Sequence, residues 1–351
     1  MKPQQIDVFC EVVDNYGDIG VCWRLAQQLQ HRVELRLFVD DLVAFQHIEP
    51  TVNPNATVQQ VQNTTVIAWS AAGHYQPAPV VIEAFGCDLP SHYSSQMVDQ
   101  TKLWINLEYL SAESWIESVH ALPSPQANGV VKYFFFPGFT TKTGGLLRPT
   151  NPAPALLDTA FWQSLDLAQA PHTDKVAFVF PYANAPLDLL YQILAAQPQS
   201  WSVLLAATAP APSVRHQQTL PIYRLPFIAQ AQFDALLDYA DLNIVRGEDS
   251  FVRAIWAQKP FIWQPYLQDG GAHLLKLQAW LEQTPFDAAT QQLIYQWNSG
   301  TLSAFSLDQA LQQLPHWQQQ CSQYAQSLGQ QTDLATQLLA FCSQTSQKTV
   351  K

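Results

Sequence analysis

"IDVFCEVVDNYGDIGVCWRLAQQLQ", Ile6 to Gln30, reads as a strand, a loop and a helix. The apolar run Ile6–Val13 predicts a strand, and Val21, Leu25 and Leu29 share one face of a helix near Val21–Gln30. Nucleotide-binding βα units keep a phosphate loop at this turn. Here "VVDNYGDIG" (Val12 to Gly20) carries two carboxylates instead, Asp14 and Asp18. A helix N-terminus bears about half a positive charge and unpaired N–H groups, so it attracts anions. Asp14 and Asp18 can occupy that field themselves. In one reading Asp18 caps a helix starting near Gly20 and Gly17 makes a tight turn. In the other, two carboxylates at the carboxyl edge of a sheet receive a cation, because ligands of such sheets bind at that edge. A dinucleotide reading would use Asp40, at the spacing of a ribose-binding acid. The glycines, however, form only G-x-x-G, and the loop is acidic.

Beyond this unit, "RVELRLFVDD" alternates Val33, Leu35, Leu37 and Val39 as a half-buried strand does. Further strands are expected at "TVIAW", "PVVIEAFG", "KLWINLEYL" and "VVKYFFFPGF". The βαβ order implies a parallel, doubly wound sheet. Residues 148–174, rich in Pro, Ala and Thr with one short helical patch, read as an interdomain linker. A second α/β series follows, with strands at "KVAFVFPY", "SVLLAAT", "DLNIVRG" and "PFIWQPY" and "PIYRLPF" extended. The Gln-rich C-terminus still repeats Trp317, Cys321, Tyr324 and Leu328 at helical spacing, then Leu334, Leu338 and Phe341.

The composition of the 351 residues, 48% apolar and 12% aromatic, is that of a globular protein with room for two cores. No stretch reaches the roughly 18 apolar residues of a membrane helix. The N-terminal "MKPQQIDVFCEVVDN" is interrupted by Asp7 and Glu11, unlike a signal peptide. Cys10, Cys22, Cys87, Cys321 and Cys342 are scattered without metal spacing, which suggests reduced thiols in the cytoplasm. A net charge of −11 disfavours nucleic acid and anionic membrane and suits a basic partner.

"RGEDSFVRA", Arg246 to Ala254, is the second constellation. It follows a predicted strand, with Asp249 and Ser250 at the expected helix start. Read structurally, it is a capped helix with its arginines in water. Read functionally, Ser250 and the first-turn amides hold a diphosphate, with Arg246 and Arg253 nearby and Glu248 reaching a sugar hydroxyl or the ribose. Aromatics end the neighbouring strands: Phe180, Tyr182, Phe227 and Phe233. Singly each suits a core; together they can form a slot for a planar base, with Gln230 at its edge. P-loop, HExxH, G-x-S-x-G and kinase motifs are absent, as is the D-x-D of metal-dependent sugar transferases.

"DVFCEVVDNYGDIGVCWRLAQQL", "WINLEYLSAE", "FFFPGFTTKTGGLLR" and "DLNIVRGEDSFVRAIWAQKPFIWQPYLQDGGAHLLKL" resemble the bacterial EF-P arginine rhamnosyltransferases, the EarP family, over most of the chain. The resemblance implies an α/β GT-B glycosyltransferase fold, two Rossmann-like domains facing a central cleft. It implies an acceptor domain over 1–155, completed by C-terminal helices at about 326–351, and a donor domain over 156–325. The implied donor is dTDP-β-L-rhamnose and the implied acceptor one arginine of elongation factor P, joined with inversion; the lack of divalent-site spacing adds the expectation of transfer without metal or other cofactor. Asp14 and Asp18 match the family's acceptor loop, and Glu248, Asp249 and Ser250 its nucleotide-sugar motif. Phe180, Tyr182, Phe227, Gln230 and Phe233 match its thymine-binding segments.

Overall fold

Two sheets organise the chain in the computed structural model, which describes residues 4–13, 16–149 and 157–348. The chain divides into two units, Met1–Thr150 with Gln331–Lys351, and Asn151–Gln330.

The first unit holds β1 (Gln5–Cys10), β2 (Glu34–Val39), β3 (Val58–Val61), β4 (Thr64–Ala68), β5 (Val80–Ala84), β6 (Leu103–Leu107), β7 (Pro123–Pro125) and β8 (Val131–Phe135). Their order is β3-β4-β2-β1-β5-β6-β8-β7, parallel except for antiparallel β3 and β7 at the two edges. Proline in β7 is tolerated because an edge strand can forgo a ladder donor. The second unit holds β9 (Lys175–Val179), β10 (Trp201–Leu205), β11 (Ile222–Arg224), β12 (Leu242–Arg246) and β13 (Phe261–Gln264). These pair in parallel as β11-β10-β9-β12-β13. Every residue of β5, β6, β10 and β13 is buried. Strands covered on both faces lose the apolar–polar alternation, which is why they read as continuous apolar runs.

Both sheets reverse direction next to their first strand. β1 lies between β2 and β5, and β9 between β10 and β12. Crevices at such reversals, outside the carboxyl ends of the strands, are where open α/β sheets bind ligands.

The stretch 148–174 is a linker only in part. Its described portion holds a helix, Thr159–Gln163, and buries Trp162 and Leu165. Trp162 meets the Tyr239 ring edge-on at 4.9 Å, and Gln232 donates to Ser164 Oγ. Two apolar anchors outweigh the loop-like composition, and residues 157–174 join the second unit.

The chain then returns. Leu334 N–H donates to the Leu146 carbonyl at 3.0 Å, and Arg148 donates to the Gln331 carbonyl at 2.7 Å. Leu334, Ala335, Leu338 and Cys342 of the helix Leu334–Lys348 enter the first unit's core. Phe341 packs on Tyr133 and Phe135 with ring centroids 5.4 and 5.6 Å away. All five cysteines are buried and none forms a disulfide.

Candidate active site

After β1 the helix begins at Gly17, earlier than its apolar periodicity predicts, and runs to Leu29. Asp18 therefore lies within the first turn, and the N-cap position belongs to Tyr16, which makes no side-chain cap. The capping reading of Asp18 is corrected by this start, as is the tight turn at Gly17, which is helical. Asp18 is 3% exposed. Its Oδ2 accepts the Val13 N–H at 2.9 Å, and its Oδ1 lies 3.4 Å from the Tyr109 hydroxyl. The helix N-terminus favours its charge. Asp14 lies outside the described residues. Asp40 Oδ1 accepts the N–H groups of Val12 at 2.9 Å and Asp41 at 2.8 Å. The acid at ribose-binding spacing thus braces the acidic loop.

Two other groups near this edge are tuned by burial. The Cys10 thiol is pushed well up by burial, then by Cys22 and the charge of Asp18, so it stays protonated. Burial also raises the Glu108 carboxyl, with the charge of Glu83 adding to it.

In the second unit, Gly247, at a φ of 66°, turns the chain from β12 into the helix Asp249–Ala257. Glu248 occupies the N-cap without a side-chain cap bond. The Ser250 hydroxyl donates back to the Arg246 carbonyl, so its side chain secures the turn into the helix. Arg246 lies over Phe180 at 4.6 Å and Tyr182 at 4.9 Å and donates to the Pro181 carbonyl at 3.0 Å. Phe233 meets Phe180 edge-on at 5.3 Å and Phe178 at 5.2 Å. The rings expected to form a base slot therefore also pack on one another and on a guanidinium. Phe227, 36% exposed, precedes the helix Gln230–Tyr239.

Arg253 is not in water. It is buried, donating to Asp234 at 2.6 Å, Asp249 at 2.8 Å and the Gln230 carbonyl at 3.4 Å. Burial alone would lower its affinity for the proton, but Asp249 and Asp234 outweigh that and raise it. Asp249 and Gln230 are thereby tied together from different helices. Glu248 pairs with Lys276 of the helix Ala272–Leu281.

Sequence reading missed three residues. Lys276 and Tyr109 sit inside "GAHLLKL" and "WINLEYL", and only their neighbours in space single them out. Phe85 carried a signal: an aromatic before Gly86 at a strand end. Among the described residues no group of three or more His, Cys, Asp or Glu is disposed to hold a metal ion. No described helix is long and apolar enough to cross a membrane.

The profile of the family "Elongation-Factor P (EF-P) rhamnosyltransferase EarP" matches residues 6–343. The chain is similar to the protein-arginine rhamnosyltransferase of Pseudomonas aeruginosa, 41% identical over 95% of this chain and 98% of that protein. It is also similar to the structure described as "Structural basis for EarP-mediated arginine glycosylation of translation elongation factor EF-P". That likeness has a TM-score of 0.62 and 26% identity, covering 97% of this chain and 99% of the other. The calicheamicin glycosyltransferase CalG4, at 11% identity and a TM-score of 0.56 over 98% and 99%, shares the GT-B fold alone.

Proposed function

The chain belongs to the EF-P rhamnosyltransferase (EarP) family, and from that premise we propose that it moves L-rhamnose from dTDP-β-L-rhamnose to an arginine of elongation factor P. The transfer inverts the anomeric centre, takes place in the cytoplasm and relieves ribosome stalling at polyproline. The observation that carries the reading is Asp18, buried at the switch point of the first sheet, its Oδ2 held by the Val13 N–H and its Oδ1 3.4 Å from the Tyr109 hydroxyl. A cation-seeking carboxylate stands where nucleotide folds keep a phosphate loop.

Arginine is a poor nucleophile because its guanidinium is delocalised and stays protonated. Charge-assisted hydrogen bonds from a fixed carboxylate localise electron density on one nitrogen. Asp18 polarises that nitrogen and accepts its proton as the N–C1 bond forms, while Asp14 holds the acceptor. The bond from C1 to the diphosphate oxygen breaks, and the electron pair leaves with dTDP. The amides opening the helix Asp249–Ala257, with Arg246 and Lys276, support that negative charge without a metal. Arg253 acts at one remove by fixing Asp249 and Gln230. Phe180, Tyr182, Phe227 and Phe233 supply the apolar wall for the base, and Glu248 faces the sugar.

Intact-mass analysis of EF-P incubated with this protein and dTDP-rhamnose tests the reading. One deoxyhexose on one arginine is expected. Replacing that arginine by lysine abolishes the product, because lysine keeps the charge but loses the planar fork. An unmodified EF-P in the first experiment, or a glycosylated lysine in the second, counts against it.

A further inference from the structure

Phe85 stands where glycine would be expected. It follows β5 at a φ of 61°, in the left-handed region, and Gly86 follows at 70°. A residue with a Cβ is disfavoured there and persists only where its surroundings over-determine it, commonly at functional sites. Three hydrogen bonds restrain it. Phe85 N–H donates to the Leu107 carbonyl at 2.7 Å. Gly86 N–H donates to Asn106 Oδ1 at 2.9 Å, and Asn106 Nδ2 donates to Glu108 at 2.6 Å. They tie the strained turn to the end of β6.

The turn sets one ring against another. Phe85 stacks on Tyr109, centroids 4.4 Å apart and planes 15° apart. A pair made for the core would be buried, yet Tyr109 remains 41% exposed. Its hydroxyl reaches Asp18 Oδ1 at 3.4 Å. That is long for an O–H···O bond, so the hydroxyl orients the carboxylate more than it binds it.

We propose that Tyr109, braced by Phe85, is the platform on which the acceptor guanidinium lies while Asp18 engages its nitrogen, and that its hydroxyl positions the Asp18 carboxylate. A guanidinium is planar, weakly hydrated and stacks on aromatic faces. A rigid ring beside a fixed carboxylate therefore restrains both its plane and its edge. The inference rests on the reading of Asp18 as the acceptor-binding acid.

Steady-state rhamnosylation of EF-P by wild-type, Tyr109→Phe and Tyr109→Leu proteins separates the two roles, with thermal unfolding of each protein as the check on folding. Tyr109→Phe keeps the ring and loses the hydroxyl. It should lower kcat by roughly 3–10-fold at unchanged KM for EF-P. Tyr109→Leu keeps the bulk and loses the plane, and should raise KM for EF-P by roughly 3–30-fold. Wild-type kcat and KM in both variants would overturn the proposal while leaving the proposed function intact. If Tyr109→Leu also lowers Tm, Tyr109→Phe decides alone, and a wild-type kcat there overturns it. Absence of transfer by the wild-type protein would strike the underlying reading instead.

Discussion

At the scale of single residues, the sharpest expectation concerns Asp18. Asp18→Asn keeps the side chain's shape and its acceptance of the Val13 N–H, but loses the charge. The proposed role lies in the transition state, so kcat should fall by about 10²–10⁴-fold with little change in dTDP affinity. Calorimetry and single-turnover transfer measure the two quantities. His120 provides a residue-scale test of stability. Its Nδ1 accepts the Phe136 N–H at 3.0 Å, and burial lowers its pKa below the ordinary histidine value of about 6.5. The folded state thus takes up this proton less readily than the unfolded chain. The stability it contributes is complete above the unfolded value near 6.5 and is lost as pH falls through the lower folded value. His120→Gln should flatten the pH dependence of Tm in that window, and NMR titration of the ring checks the direction.

At the scale of elements, the two cations beside the helix Asp249–Ala257 should separate by experiment. Arg253 bridges that helix to Gln230–Tyr239. Arg253→Met leaves Asp249 without its cation and should cost about 3 kcal/mol, the low end for a broken buried pair because Asp234 is partly in water. Chemical denaturation reads this directly. Lys276→Met should change Tm little and weaken dTDP binding roughly tenfold, one charge-assisted contact. Equal effects of both variants on Tm and on affinity would contradict this split. Legibility divides the same way. Asp18 stood out because two carboxylates at a strand–helix turn are conspicuous in one dimension. The burial of Arg253 was invisible, because nothing in "RGEDSFVRA" announces that Asp234 comes alongside. Edge strand β3 was missed because "VQQV" is short and half polar, with its partner supplied by the β4 ladder. Trp162 as an anchor was not legible inside a Pro- and Ala-rich stretch, since composition averages hide a single buried ring.

At the scale of the whole molecule, the strand–helix periodicity was enough for two Rossmann-like units, while the division of chemistry between them rests on the proposed function. With a helix start and two side-chain cations proposed to support the leaving diphosphate, EDTA should leave transfer unchanged, assayed by mass shift with and without added magnesium. Restoration by magnesium after a loss would refute that mechanism.

The return of the helix Leu334–Lys348 to the first unit has a consequence for how the protein is made. Part of the first core comes from residues that leave the ribosome after everything else described. At roughly 5–20 residues per second, the β1–β8 sheet emerges early and must wait for its last apolar layer. The second unit, contiguous in sequence, meets no such delay. The half of the chain synthesised first is thus the half that finishes folding last, and its unfinished face is what a chaperone on the nascent chain would have to shield.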